Sequence, residues 1–274
     1  MAQPALSAAI LSYLNSLQST SSLLGRTQER LATGLKVNSA LDNANAFFAA
    51  KGLSGRADDL NFRVEKLGQD IQTIKAASTA IEAIEGLLQN VKAKITEAAA
   101  LATDAPGLAA RIVKQTEANA ILAEAREIAE DAGYGGVNLL NNEALTSVFN
   151  EAGDNTLTTT GVDYTTAATA ITADFATGFA SQANTDAATN SVNTALAAVR
   201  SQASTFSTNL NVIEARETFT NNLVNTLEEG AGKLTLADTN EEGANLLALQ
   251  TRQQLGVTAL SLSAQADQSV LRLF

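Results

Sequence analysis

Pairs of neighbouring carboxylates come closest, by residue type and spacing, to a catalytic arrangement in this chain. The pairs are Glu82 with Glu85, Glu228 with Glu229, and Glu241 with Glu242. Two carboxylates can act as general acid and general base when their surroundings separate their pKa values. The chain contains no His and no Cys, so it lacks the commonest general base, thiol nucleophiles and disulfides. No serine lies in a Gly-x-Ser-x-Gly turn, and no glycine run leads into the Lys-Ser/Thr of a phosphate loop.

The carboxylate pairs are therefore interpreted as solvated helix faces, and we predict no catalytic residue, no metal site and no cofactor. The net charge of −11 predicts no nucleic-acid partner, because phosphate binding needs clustered Lys and Arg. An acidic surface disfavours anionic membranes, and no run of about 18 apolar residues occurs, so we expect no membrane insertion. The first cation is Arg26, which leaves the N-terminus without the basic region of a cleaved secretory signal.

Both ends of the chain carry apolar stripes at coiled-coil spacing with few charges. The N-terminal stripe contains Leu6, Ile10, Tyr13, Leu17, Leu24 and Leu31. The C-terminal stripe contains Leu246, Leu249, Val257, Leu260, Leu271 and Phe274. Two isolated helices with so little charge are marginal in water, because helix nucleation is costly. We therefore predict that the two ends pair with each other and with further copies of the chain.

Long helices must position these stripes. Near-heptad apolar residues predict a helix from Leu60 to Ile95, preceded by an interruption at 52–55 and followed by a break at Pro106-Gly107. Another helix is expected over 108–131, and a last rod helix from about 187 until Gly230 and Gly232 end it. The Thr-rich segment between them predicts one or two short hairpins, with a disordered linker as the alternative. The predicted fold is mainly α, a long antiparallel helical hairpin or coiled-coil bundle with a small β-hairpin-containing tip.

Three sequence motifs give this chain a family resemblance. Residues 30–44 read RLATGLKVNSALDNA, which closely resembles the N-terminal signature of bacterial flagellins. Its characteristic positions are Arg30, Gly34, Leu35, Asn38, Ser39 and Asp42. Residues 240–274 end in ADQSVLRLF and resemble the flagellin C-terminus, and 136–140 (GVNLL) resembles the turn after the third helix. The short central part resembles the minimal flagellins of alphaproteobacteria.

The resemblance implies a structural subunit that assembles into the extracellular flagellar filament for swimming. It implies inner coiled-coil helices at 1–33 and 240–274, connectors at 34–44 and 233–239, a helical rod at 45–136 and 187–232, and a hairpin tip at 137–186 with no large outer domain. The implied partners are the chain itself, paralogous flagellins, an export chaperone, and the filament cap and hook–filament junction proteins. Export would follow a route that cleaves no signal peptide.

Two alternatives remain at this point, a flagellin-like hook–filament junction protein and, more distantly, a signalling coiled-coil bundle. The Thr- and Ser-rich tip also offers candidates for O-linked sugars, chosen on expected exposure alone. The candidates are Thr158, Thr177, Ser181, Thr185, Ser191 and Thr194. Ordinary solvated hydroxyls are the competing interpretation.

Overall fold

The structure is a computed structural model that describes residues 8–166, 175 and 178–271. Its helices and strands follow one another along the chain as α1 (Ala8–Thr33), α2 (Ala40–Ala99), α3 (Ala105–Asp131), β1 (Ala144–Val148), β2 (Thr156–Thr160), α4 (Gln182–Thr235) and α5 (Thr239–Leu271). The prediction of a mainly α chain with a small β-hairpin is confirmed.

Several helix ends differ from the prediction. Residues 52–55 lie inside α2, where the residue with non-helical backbone angles is Asn43, so the expected interruption at the two glycines is wrong. Likewise α4 begins at Gln182 and continues through Gly230 and Gly232 to Thr235. A glycine inside a helix costs only about 1 kcal/mol relative to Ala, which packing on either side of it readily offsets.

The break around Pro106 is present but displaced. Helix α2 ends at Ala99, and α3 begins at Ala105 with Pro106 in its first turn. Proline is tolerated there because that backbone nitrogen needs no partner within the helix. Asp104 caps the helix by accepting a hydrogen bond from the Gly107 amide at 3.0 Å.

The two strands form an antiparallel hairpin in which Thr146 lies opposite Thr158. Their hydroxyls are 3.3 Å apart on the exposed face, whereas Leu145 and Thr159 are buried on the other. Asn150 shapes the turn, because its side-chain oxygen accepts from the amides of Gly153 and Asn155, each at 3.1 Å. Gly153 adopts φ +79°, a left-handed conformation that favours glycine.

The chain divides into two compact units. The terminal unit comprises the two ends of the chain, up to Gly55 and from Thr226 onward, and the central unit is Arg56–Asn225. Within the central unit α2 and α4 run antiparallel, as the ion pairs Lys75–Glu214 (3.2 Å) and Glu85–Arg200 (2.8 Å) indicate. Its core is a continuous cluster of buried apolar side chains that includes Leu67, Ile74, Ile81, Ile84, Leu88, Val91, Ile95, Leu122, Val199, Phe206 and Ile213.

A buried cation closes the end of α2 in the central unit. The Arg111 side chain is 1% exposed and donates hydrogen bonds to the carbonyls of Ala99, Leu101 and Phe179 at 2.8–3.2 Å. Arginine suits this position because helix C-termini carry unpaired carbonyls and partial negative charge. The pattern of apolar residues gave no indication of this role.

Candidate functional site

The terminal unit holds the residues that carry the family signature. Its two connector strands pair at an isolated antiparallel bridge between Leu35 and Leu236. The carbonyl of Thr235 accepts from the amide of Lys36 at 2.8 Å, and the carbonyl of Gly34 accepts from the amide of Ala237 at 2.9 Å. Gly34 has φ +72°, which a side chain would disfavour. The glycine therefore ends α1 and turns the chain into the bridge.

A carboxylate organises the turn that follows. The Asp42 Oδ2 atom accepts hydrogen bonds from the Asn38 amide (3.1 Å), the Ser39 amide (3.0 Å) and the Ser39 hydroxyl (3.1 Å). The two backbone hydrogen bonds, then the Ser39 hydroxyl, lower the pKa of Asp42 because they favour its charged form. The signature positions Asn38, Ser39 and Asp42 thus form one capping cluster at the start of α2.

Helices α1 and α5 pack against each other within the terminal unit. The Arg30 Nη1 atom lies 2.8 Å from the Glu242 Oε1 atom, and Glu242 is buried. Further along, Leu17 lies against Gly256 so closely that a Cβ on the glycine would be 2.9 Å from Leu17 Cδ2. A charged pair near one end and a close apolar contact along the helices therefore fix the register of the two.

The predicted stripe residues divide by their exposure. Leu249 is buried, and Ile10, Leu17, Leu24, Leu31, Leu246 and Leu260 are partly buried. Tyr13 and Val257 are instead 42% and 56% exposed. Leu6 and Phe274 lie outside the described residues, and only the backbone of Leu271 is described.

Sequence reasoning missed a second apolar row on α5. Leu247, Leu255 and Leu262 are 66%, 65% and 68% exposed. Their spacing of eight and seven residues places them on one side of the helix, about 120–160° around the axis from Leu249 at 100° per residue. The row has near-heptad spacing in the sequence, and polar residues between its leucines separate it from the stripe through Leu249.

Most of the carboxylates named from the sequence lie on solvated helix faces, but Glu242 is buried against Arg30, so that expectation is wrong there. Glu85 bonds Arg200, Glu229 lies 2.7 Å from Lys233, and Glu242 bonds Arg30. Glu82 and Glu228 are exposed. Within the described part of the chain, no three His, Cys, Asp or Glu side chains are grouped to hold a metal ion.

Of the glycosylation candidates, Thr158, Ser181, Ser191 and Thr194 are exposed. Thr185 is only 1% exposed and donates its hydroxyl to the Gln182 carbonyl at 2.8 Å, so the expectation of exposure is wrong there. Thr177 lies outside the described residues.

Both the N-terminal and the C-terminal helical regions of the chain are similar to known proteins. Residues 7–144 match the family model of the bacterial flagellin N-terminal helical region, and 189–274 match that of the C-terminal helical region. The chain is 32% identical to a flagellin of Brucella melitensis over 96% of both chains. The chain belongs to the bacterial flagellin family. It is also 29% identical to flagellin FljO of Caulobacter vibrioides, over 81% of this chain and 80% of that one.

A solved flagellin structure, from Bacillus cereus, aligns with 57% of this chain and 88% of its own at 16% identity and a TM-score of 0.48. That similarity is too low to add to the sequence matches. Those matches already make this flagellin a structural subunit that self-assembles into the extracellular flagellar filament, and not an enzyme. The named relatives are flagellins, so the hook–filament junction alternative is not favoured. None of the helices in the described ranges has the length and apolar character needed to cross a membrane.

Proposed function

We propose that the terminal unit carries the contacts through which this flagellin polymerises. The proposed inner coiled-coil domain is 1–33 with 240–274, joined through connectors 34–44 and 233–239 to a rod formed by 45–136 and 187–232. Residues 137–186 would form a hairpin-containing tip, with no large outer domain. The inner helices would contact neighbouring copies, and the rod would be folded before assembly.

The observation that carries this proposal is that α5 is apolar on two opposite sides. One side, containing Leu249 and Gly256, packs on α1. The other presents Leu247, Leu255 and Leu262 to solvent. A helix face lined by large apolar side chains is normally buried against another surface, so a lone molecule leaves the outer side of α5 uncovered. A second copy is the cover that a self-assembling chain always has available.

The size of the exposed row is sufficient to drive association. Fully burying one leucine stabilises by about 1.5–3 kcal/mol relative to leaving it exposed. Leu247, Leu255 and Leu262 together would supply several kcal/mol per subunit, offset by the entropy of ordering helices and subunits. Interfaces that face different directions on one subunit propagate as an open helix, which is the symmetry of a filament.

Before export this outer row must be covered, or α5 must be unfolded. Otherwise the exposed apolar surface would promote premature association at the subunit concentrations of the cytoplasm. We infer that an export chaperone covers the α5 outer row, and that the chain leaves the cell without a cleaved signal peptide. The filament cap, the hook–filament junction proteins and paralogous flagellins would meet the same surfaces at the ends or along the polymer. The exposed Thr158, Ser181, Ser191 and Thr194 stay candidates for O-linked sugars, which an intact mass of native filaments would test.

Replacing Leu255 with Asp tests the proposal. A carboxylate in an apolar interface loses hydration without a partner, so we expect no filaments at concentrations about 100-fold above those sufficient for the wild type. Sedimentation and negative-stain microscopy measure polymer, and circular dichroism checks that the monomer keeps its helices. Leu255→Met, which keeps the apolar contact, is the matched control and should polymerise normally.

Leu260→Asp separates the two sides of α5. Leu260 lies on the side of Leu249 and Gly256, so its change would loosen the α1–α5 pair as well as stop assembly, while the central unit stays folded. Wild-type polymerisation by Leu255→Asp would overturn the assignment of the outer row.

A further inference from the structure

A groove in the terminal unit has the size of a docking site. It has a volume of about 440 Å³ and lies between the first connector, the start of α2 and the end of α4. Its apolar and small lining residues include Val37, Phe47, Ala50, Ala231 and Gly232. Resting on the proposed self-assembly of this unit, we propose that the groove receives Leu41 from a second copy of the chain.

Leu41 has the exposure expected of an inserting side chain. It is 98% exposed, more than any other large apolar side chain in the described ranges. A leucine with so much open surface makes almost no contact within its own molecule, so it does not fill the groove of its own unit. Burying it elsewhere would recover most of the stabilisation available to a leucine side chain.

The position of Leu41 is fixed before any partner arrives. It lies in the first turn of α2, directly before Asp42, whose carboxylate holds the Asn38 and Ser39 amides. The Leu41 amide in turn donates to the Ser39 hydroxyl at 3.3 Å. A side chain held on a hydrogen-bonded turn loses little backbone entropy on docking, which favours binding.

The charged groups beside the two surfaces do not oppose the contact. All three donors at Asp42 bond its Oδ2 atom, and no hydrogen bond within the described residues uses Oδ1. Lys51 lines the groove, is exposed and forms no ion pair among the described residues. Glu228 lines the same groove and is also exposed, and the Ser39 and Asn38 amides together with Arg30 already favour the charged form of Asp42 within its own copy. Charge is therefore balanced on both surfaces, and the burial of Leu41 carries the contact.

Insertion of a side chain into a groove elsewhere on the next copy is a heterologous contact. Such a contact leaves one free Leu41 and one free groove at opposite ends of the assembly, so it repeats without closing. That geometry suits a filament subunit and does not suit a closed dimer. A second copy is therefore favoured over a small apolar ligand as the occupant of the groove.

Two single variants, their double variant and a conservative control test the contact by polymerisation. Leu41→Asp removes the inserted side chain, and Ser54→Trp fills the groove from an exposed position on its lining. Each should raise the critical concentration for polymerisation by about tenfold or more, whereas Leu41→Met should leave it near the wild-type value. The Leu41→Asp/Ser54→Trp double variant should be no worse than the poorer single variant, because both changes remove one contact. Additive losses, or wild-type assembly of both single variants, would overturn the proposal.

Cysteine cross-linking tests the contact directly, since the chain has no native Cys. Filaments copolymerised from Leu41→Cys and Ser54→Cys subunits should give covalent dimers with a short bis-maleimide. Copolymers of Leu41→Cys and Thr158→Cys subunits, the latter exposed in the central unit, should not. Filaments that form without the first cross-link would refute the Leu41 contact and leave self-assembly standing. A failure of the wild type itself to polymerise would instead count against the proposed function.

Discussion

The central and terminal units differ in where their apolar side chains go. In the central unit most apolar residues of α2, α3 and α4 enclose one another, and Ile74, Ile84 and Leu88 are fully buried. The large apolar side chains that this unit leaves open are 38–59% exposed and include Phe62, Ile112 and Phe219. In the terminal unit only one side of α5 is enclosed, and Leu41, Leu255 and Leu262 are 98%, 65% and 68% exposed.

This contrast indicates how one chain can be both a stable monomer and a polymer subunit. Apolar area buried inside a unit stabilises the fold at any concentration, because its partner is part of the same chain. Apolar area left open stabilises only when another copy covers it, so its contribution depends on protein concentration. Mutations in the two units should therefore change different measurements.

Matched truncations in the two units give the largest expected difference. Ile84→Ala removes a fully buried side chain and should lower the free energy of unfolding of the monomer by about 2–5 kcal/mol. Leu247→Ala, at a residue 66% exposed, should change it by about 0.5 kcal/mol or less. Urea unfolding of dilute monomer measures both. Leu247→Ala should instead raise the critical concentration for polymerisation, and equal losses of monomer stability would contradict the contrast.

Arg111 tests whether buried polar groups stabilise the central unit as its apolar core does. Arg111→Met leaves buried carbonyls at the end of α2 without donors, and should lower the free energy of unfolding by about 3 kcal/mol. Arg200→Met is the matched control, because Arg200 is 60% exposed and its pairing with Glu85 contributes about 1 kcal/mol or less. Thermal or urea unfolding measures the loss of stability in Arg111→Met and in Arg200→Met. Similar small losses in both variants would mean that the Arg111 hydrogen bonds are dispensable.

Gly256 tests the enclosed side of the terminal unit. Gly256→Val places side-chain atoms too close to Leu17 and should destabilise the packing of α1 on α5 by about 1–2 kcal/mol. The loss should be visible as faster amide hydrogen exchange in both helices. Exchange in the central unit should not change. Adding Leu17→Ala makes room for the new side chain and should restore part of the protection. Loss of protection that Leu17→Ala does not relieve would mean that this contact does not set the helix register.

The sequence predicted the kinds of element better than their limits. Near-heptad apolar residues such as Ile74, Ile81 and Ile84 indicated the long helix because their period matches one buried helix face. The interruption expected at 52–55 and the helix end expected at Gly230 and Gly232 were wrong, because a glycine is a weak signal inside a long packed helix. The hairpin was predicted from its β-branched threonines, and the observed strands are Ala144–Val148 and Thr156–Thr160.

The candidate site was predictable only in part, because α5 has two apolar faces and its sequence does not show which of them packs on α1. The stripe through Leu249 was recognisable from its spacing, but whether it packs inside the molecule or between molecules depends on the position of α1. The outer row of Leu255 and Leu262 becomes evident once α1 is seen on the opposite side. Arg111 could not be assigned, because its partners include Phe179, which is distant in sequence.

The smallest expected effect is a pH dependence that comes from a surface network in the central unit. Lys94, Glu97, Lys114 and Glu117 form a surface network with nitrogen–oxygen distances of 3.0–3.4 Å. Hydrogen bonds from Lys114, then from Lys94, lower the pKa of Glu97 and of Glu117 below the ordinary 4.5. Hydrogen bonds to Glu97 and Glu117 raise the pKa of Lys114 above the ordinary 10.5.

A carboxyl group with a lowered pKa in the folded state stabilises the fold fully above its unfolded pKa and loses that contribution as the pH falls. A lysine with a raised pKa contributes fully below its unfolded pKa and loses that contribution as the pH rises. The network should therefore stabilise the central unit between about pH 5 and pH 10, and weaken outside that window. As the pH is lowered from 7 to 3, the urea midpoint of Glu97→Gln/Glu117→Gln should fall less steeply than that of the wild type. Glu82→Gln, an exposed control on α2, should follow the wild type. Because these side chains are solvated, high salt should reduce the difference, and a steeper acid limb in the double variant would show that the network does not favour the folded state.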